Sequence, residues 1–210
     1  MDKIKAIIFD VGGVLQLGDN SSLRHKKITR KGVHGGIAKE LGVSLDQYLD
    51  SIDTAYAKSV EGKISGERVI KIMARNLRTT PSRLKKLYKA AYKRNFHLNK
   101  ELLHYAKILR KIGYKISILS DQWEISKRAL ITKNFYQVFR PVIVSCDVGL
   151  RKPDQRIYRL MLKRLKIKPE KSVFIDNQEW NLTPARKIGM KIILFKNNKQ
   201  TIRELNRILK

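Results

Sequence analysis

The 210-residue sequence predicts an α/β fold, a parallel sheet with helices on both faces that is interrupted once by an all-helical cap. Three observations carry that expectation. Residues 5–9, Lys-Ala-Ile-Ile-Phe, form a short apolar run of the kind a strand buried on both faces requires. About eighty residues then show helical spacing only. From residue 99 onward, helical and strand-like segments alternate, as they do when a parallel sheet is built through crossover helices.

The first strand leads straight into Asp10-Val11-Gly12-Gly13-Val14-Leu15, where paired glycines signal a tight loop. Helical spacing follows at 36–41, 44–59, 65–77 and 81–93. Ser44-Leu45-Asp46-Gln47 has the side chains of a capping box, and Pro81 after Thr80 suits a first helical turn, where a missing N–H is no loss. Leu84, Leu87, Tyr88 and Ala91 form one stripe and are expected in the core. The alternating part then gives helix 100–112 stopped at Gly113, strand 115–119, helix 124–133 and strand 142–145. Helix 154–165, strand 172–175, helix 182–188 ended by Gly189, strand 191–195 and helix 199–209 complete it. The expected organisation is a core of residues 1–17 and 98–210 with a helical cap at 18–97. Hinges for cap motion are expected at 18–22 and 96–99.

Composition narrows the setting. No apolar run approaches the ~20 residues that cross a bilayer, and the four-residue run ending at Phe9 is too short for a signal-peptide core. The expectation is a cytoplasmic protein without a membrane partner. One cysteine, Cys146, suits a reducing compartment and is expected as a small buried residue at a strand end. The net charge of +28 raises the question of a nucleic-acid partner. Residues 18–97 carry 18 Lys/Arg against 7 Asp/Glu, and the remainder carries 28 against 11. The excess is therefore spread in near proportion to length, which points to attraction of anionic substrates or a general lysine bias more than to a dedicated nucleic-acid surface.

In an open parallel sheet, ligands bind where strands end and loops begin. Four polar clusters fall there: Asp10, Ser120-Asp121, Arg151-Lys152 and Asp176-Asn177. A carboxylate nucleophile, a hydroxyl, a cation and a second carboxylate on one edge suit phosphoryl transfer. A carboxylate can attack phosphorus to give an acyl phosphate, splitting one hard step into two. Two carboxylates can hold Mg²⁺ through oxygen, while Lys152 and Ser120 stabilise equatorial phosphate oxygens. Backbone N–H groups at Val11, Gly12 and Gly13 could add an anion nest.

These residues carry a family resemblance. Ile8 to Leu15, Ile118-Leu119-Ser120-Asp121, Gly149-Leu150-Arg151-Lys152-Pro153-Asp154 and Val173-Phe174-Ile175-Asp176-Asn177 resemble, in order, the four motifs of the haloacid dehalogenase-like hydrolase superfamily. The resemblance spans nearly the whole chain, and it is closest to the α-D-glucose-1-phosphate phosphatase-like members. It implies a Rossmann-like core with the first strand central and a cap in the first insertion site. It also implies a magnesium-dependent phosphatase acting on a small phosphorylated metabolite. Asp10 would be the nucleophile and a magnesium ligand, with the Gly12 carbonyl and Asp176 as further ligands. Ser120, Lys152, Asp121, Gly12 and Gly13 would bind the phosphate, and Asn177 and Asn181 would support the loop after the fourth strand.

One departure matters. Most phosphatases of this superfamily have an aspartic acid two residues after the nucleophile, to protonate the leaving oxygen; here that position is Gly12. About 10²–10⁴-fold of rate rests on such an acid. A sugar 1-phosphate or acyl phosphate, whose leaving group needs the proton less, is therefore the expected substrate. The competing reading is a catalytically weak member that holds RNA or another polyanion on its basic surface. Trp123 and Trp180 are expected to pack and not to touch substrate. His25, His34, His97 and His104 lack metal-ligand spacing and are given no role.

Overall fold

The structure is a computed structural model that describes residues 3–18 and 32–210. Strand β1 (Ala6–Phe9) is followed by a short strand β2 (Gln16–Gly18). Helices α1 (Gly32–Leu41), α2 (Leu45–Val60), α3 (Gly66–Asn76) and α4 (Pro81–Asn95) come next. Strand β3 (Phe96–Leu98) and helix α5 (Lys100–Lys111) lead to β4 (Lys115–Ser120), α6 (Glu124–Leu130) and α7 (Lys133–Val138). The chain continues through β5 (Val142–Val144), α8 (Ser145–Val148), α9 (Gln155–Leu165), a 3₁₀ turn (Pro169–Lys171) and β6 (Ser172–Asp176). It ends with α10 (Glu179–Lys187), β7 (Lys191–Leu194) and α11 (Asn198–Leu209).

The main sheet has the order β5-β4-β1-β6-β7, and every pairing in it is parallel. The all-apolar β1 lies at its centre, and all four of its residues are buried. Alternate side chains leave a strand on opposite sides. Ile7 and Phe9 join Ile118, Ile175 and the α5 residues Leu102, Ala106 and Leu109 on one face. Ala6 and Ile8 join Leu119, Phe174 and the α9 residues Ile157, Tyr158 and Met161 on the other. The α/β class with helices on both faces and an inserted helical cap is thus the observed architecture. No helix among the described residues is long and apolar enough to cross a membrane.

Local signals were faithful where side-chain chemistry sets them. Ser44 Oγ accepts from the Gln47 N–H at 3.0 Å while the Ser44 N–H donates to Gln47 Oε1 at 2.9 Å, closing the capping box. Thr80 accepts from the Arg83 N–H at 3.2 Å, with Pro81 opening α4. Leu84, Tyr88 and Ala91 are buried, and Leu87 packs beside them.

Several expectations are corrected. Strand 142–145 ends at Val144, because the chain turns into α8 and is stopped by Gly149 in the left-handed region (φ 70°). Cys146 therefore lies half-buried in α8, not at a buried strand end. Helix 124–133 stops at Leu130. Ile131 leaves helical geometry, and the break lets Leu130, Ile131, Phe135 and Phe139 all face the core. Helix 182–188 starts earlier, at Glu179, with Pro184 inside it. Residues 96–98 of the expected 96–99 hinge form an unexpected strand, a finding that does not bear on cap motion: β3 pairs antiparallel with β2, Gln16 opposite Leu98 and Gly18 opposite Phe96. Three-residue strands are too short for a period of two to register in sequence. Of the other expected hinge, residues 19–22 lie outside the described residues, as does His25.

Candidate active site

Strand register brings the first carboxylates together. Phe9 is paired with Ile175 on one side and Ile118 on the other, so Asp10, the next residue, leaves the sheet beside Asp176 and between two loops. The Asp10 N–H still donates to the Ile175 carbonyl at 2.9 Å, which fixes its backbone. Asp176 and Ser120 are the last residues of their strands, and both are fully buried.

Lys152 arrives from the loop between α8 and α9. Its buried Nζ donates to Asp10 Oδ1 at 3.0 Å and to Asp176 Oδ2 at 2.6 Å, and lies 3.5 Å from the Leu119 carbonyl. The ammonium also stands 5.4 Å from the centroid of the Phe174 ring. Burial pulls the lysine toward its neutral form, but Asp10, Asp176 and Asp121 outweigh it and keep Lys152 charged above the ordinary lysine range. Burial pushes the Asp10 carboxyl up to about 6; Lys152 pulls it down, and Asp176 pushes it up again. Two carboxylates and one ammonium leave the cluster one negative charge in excess when all are ionised.

The surrounding residues pin these groups. Asp176 Oδ1 accepts from the Gln178 N–H at 2.8 Å, and its Oδ2 accepts from Asn181 Nδ2 at 3.1 Å. The Asn181 carbonyl in turn accepts from the Tyr158 hydroxyl at 2.7 Å. Asp121 Oδ1 accepts from the Lys152 backbone N–H at 3.1 Å, so its carboxylate ties down the lysine loop. Ser120 Oγ accepts from Gln122 Nε2 at 3.0 Å. Arg151 is exposed and stands outside the cluster, whereas Trp123 is buried and donates to the Tyr92 hydroxyl at 3.1 Å. Trp180, expected to pack, is 52% exposed, because α10 turns Asn181, Leu182 and Ala185 inward instead.

The loop after β1 treats its two glycines differently. Gly13 has φ +83°, and a Cβ there would come within 2.3 Å of Asn177 Nδ2. Its N–H donates to the Gln16 carbonyl at 2.7 Å, so the expectation that it joins an anion nest is corrected. Gly13→Ala is expected to cost about 1–2 kcal/mol for the left-handed backbone, with the collision at Asn177 in addition. A lowered midpoint in denaturant titration would register it, and an unchanged midpoint would contradict it. Gly12 is open by contrast, since a Cβ there would meet nothing nearer than Gln122 Nε2 at 3.8 Å.

A cavity of about 330 Å³ reaches Gly12, Gly13 and Asn177 from the helical side, where His34, Tyr56 and Asn95 line it. A larger one of about 790 Å³ lies against α3, α4 and α6, but neither Lys152 nor either clustered carboxylate lines it. Those groups do not line the smaller cavity either, but it reaches the loop after Asp10 at Gly12 and Gly13 and the loop after Asp176 at Asn177. Gln122, His34 and Tyr56 were not singled out from sequence as site residues. Gln122 had a signal, two positions past Ser120 at a strand end; the other two enter only through packing.

Among the described residues no group of three or more His, Cys, Asp or Glu is placed to hold an ion. Two carboxylates already share one cation, the Lys152 ammonium, and both offer oxygen. A hard divalent ion such as Mg²⁺ binds through one or two carboxylates and keeps several waters, so this set fits it.

A family model described as haloacid dehalogenase-like hydrolase matches residues 4–189. The chain is 35% identical over 116 residues to bifunctional epoxide hydrolase 2 of Rattus norvegicus, a match of 53% of this chain and 21% of that protein, about a fifth of its length. It is 34% identical over 92 residues to glyceraldehyde 3-phosphate phosphatase of Methanothermobacter thermautotrophicus, covering 41% of this chain and 39% of that one. Among solved structures, a HAD family enzyme of Bacteroides thetaiotaomicron has a TM-score of 0.77 at 17% identity, over 97% of this chain and 99% of the other. A complex of that enzyme with magnesium and inorganic phosphate has a TM-score of 0.71 at 18% identity, over 90% and 93%.

Proposed function

The chain belongs to the haloacid dehalogenase-like hydrolases, and we propose that within this family of hydrolytic enzymes it is a Mg²⁺-dependent phosphatase. Its substrate is a small phosphate monoester, such as a sugar phosphate of the cytoplasm, and the reaction passes through an aspartyl-phosphate on Asp10. One observation carries the reading: a single buried ammonium, Lys152, spans two carboxylates from adjacent strand ends. A merely structural ion pair needs one partner for one charge. Here an excess carboxylate is kept in a buried site, where it costs stability unless a cation or a reaction uses it.

In this reading residues 1–17 and 98–210 form the catalytic core and 18–97 the cap that closes over the substrate. Asp10 attacks phosphorus. Lys152 neutralises the phosphate oxygens, and Ser120, with Gln122 behind it, donates to one of them. Asp10, Asp176 and the Gly12 carbonyl would hold Mg²⁺, which when bound lowers the repulsion between the anionic nucleophile and the anionic phosphate. Asn181 and Asn177 hold the Asp176 loop in place, and Asp121 positions Lys152 through its backbone. The relative named as a phosphatase and the magnesium and phosphate complex of the similar fold support the same reading.

Gly12 leaves the departing oxygen without an acid from that position, so turnover depends on the leaving group. Phosphate release from p-nitrophenyl phosphate with Mg²⁺, abolished by a chelator and restored by added Mg²⁺, is the expected result. Glucose 1-phosphate is expected to turn over faster than glucose 6-phosphate, by about tenfold or more. Activity indifferent to the chelator would overturn the metal assignment, and a preference for the 6-phosphate would overturn the leaving-group argument.

A further inference from the structure

We propose that His34, on helix α1, is the base that activates the water hydrolysing the aspartyl-phosphate, the task for which Gly12 has no side chain. This rests on the phosphatase reading above. An aspartyl-phosphate is attacked from the side the leaving group has vacated, and in this proposal that side is the cavity against the loop after β1. His34 lines that same 330 Å³ cavity together with Gly12 and Asn177. Of the other proton-bearing side chains there, Tyr56 and Tyr92 are phenols that burial pushes above their ordinary range.

A chain of hydrogen bonds sets which nitrogen of His34 is free to accept. The thioether of Met73 can only accept, and the Tyr88 hydroxyl lies 3.5 Å from its Sδ and donates to it. With its proton assigned to that sulfur, Tyr88 accepts from the Tyr48 hydroxyl, 2.5 Å away. With its proton committed, Tyr48 accepts from His34 Nδ1 at 3.2 Å. In this arrangement the proton of the neutral ring is assigned to Nδ1, which leaves the Nε2 lone pair free to accept. Burial lowers the imidazole pKa, which keeps that lone pair available at neutral pH. Ring contacts to Tyr48 and Tyr56, with centroids at 5.7 Å and 6.2 Å, hold the imidazole between them.

The step balances simply. The water oxygen bonds to phosphorus while its proton passes to Nε2. The bond from phosphorus to the Asp10 oxygen breaks, and its electron pair returns to the carboxylate. Inorganic phosphate leaves, and the imidazolium gives its proton to solvent. The first half-reaction is untouched, so the dependence on leaving group argued above remains.

The test is rapid mixing of His34→Asn with p-nitrophenyl phosphate and Mg²⁺. Asparagine can keep a donor toward Tyr48 while removing the base. The expected result is a burst of about one p-nitrophenolate per enzyme, a phosphoenzyme trapped in the quench, and steady turnover about 100-fold below wild type. Gly12→Asp added to this variant is expected to restore steady turnover to within about tenfold of wild type, because an acid there is the family's usual solution and the space is open. Turnover of His34→Asn near that of wild type would overturn the proposal. A loss without phosphoenzyme and without rescue by Gly12→Asp would do so too, since a structural role predicts it. Should His34→Asn fold poorly, His34→Gln is read by the same two criteria. A wild-type protein that releases no phosphate sinks the phosphatase reading before any variant is made, and this inference with it.

Discussion

Asp10→Asn is expected to reduce Mg²⁺-dependent phosphate release by roughly 10⁴-fold or more, the scale seen when a catalytic nucleophile is removed. The amide keeps the shape of the side chain and can still accept from Lys152 Nζ, which stands 3.0 Å from Oδ1. What it loses is the charge and the nucleophilic lone pair, so no acyl phosphate can form. The fold should survive: burial already disfavours the Asp10 charge, and the carboxyl pKa stands near 6 for that reason. Activity and thermal midpoint measured on the same preparation separate the two effects. A folded Asp10→Asn protein that still turned over p-nitrophenyl phosphate at a tenth of the wild-type rate would remove Asp10 from the chemistry.

Lys152→Met should produce the largest loss of stability. Lys152 side-chain exposure is 2%, against 9% and 0% for its partners Asp10 and Asp176. Removing the ammonium leaves two carboxylates facing each other without compensation. Breaking a buried pair in this way costs about 3–5 kcal/mol. A bound divalent cation would replace the missing charge, so Mg²⁺ is expected to raise the unfolding midpoint of the variant by more than it raises that of wild type. Denaturant titrations with Mg²⁺ and with chelator measure this directly. Equal midpoints for variant and wild type in chelator would show that Lys152 does not hold the carboxylates together. A stabilisation by Mg²⁺ no larger than in wild type would separate the metal from this cluster.

The legible parts of the molecule were those that short-range chemistry dictates. β1 is apolar along its whole length, so its burial follows from composition alone, and Asp10 at its end is then forced to a strand terminus. Ser44, Thr80 and Pro81 announce helix starts because the capping oxygen and the missing N–H act within three residues. Asp121 shows where this stops. Its place beside Ser120 at a strand end is read from sequence, but the acceptance by its carboxylate of the Lys152 backbone N–H depends on a loop 31 positions away, which no local rule reports. Gly13 is similar: a glycine pair suggests an anion nest, but the N–H of Gly13 closes onto Gln16.

By itself the sequence determined the family, the sheet with its strand-end residues, and the absence of an acid at position 12, because these are properties of contiguous residues and their order. Only the tertiary structure decided which charges share one ammonium, that Gly12 has space around it while Gly13 has none, and that His34 lines the cavity over both. Those facts depend on residues separated by tens to more than a hundred positions, Asp10 with Lys152 and His34 with Tyr88 through Tyr48, meeting at a few ångströms. Sequence periodicity has no term for such meetings; packing of the helical insertion on the sheet edge supplies it.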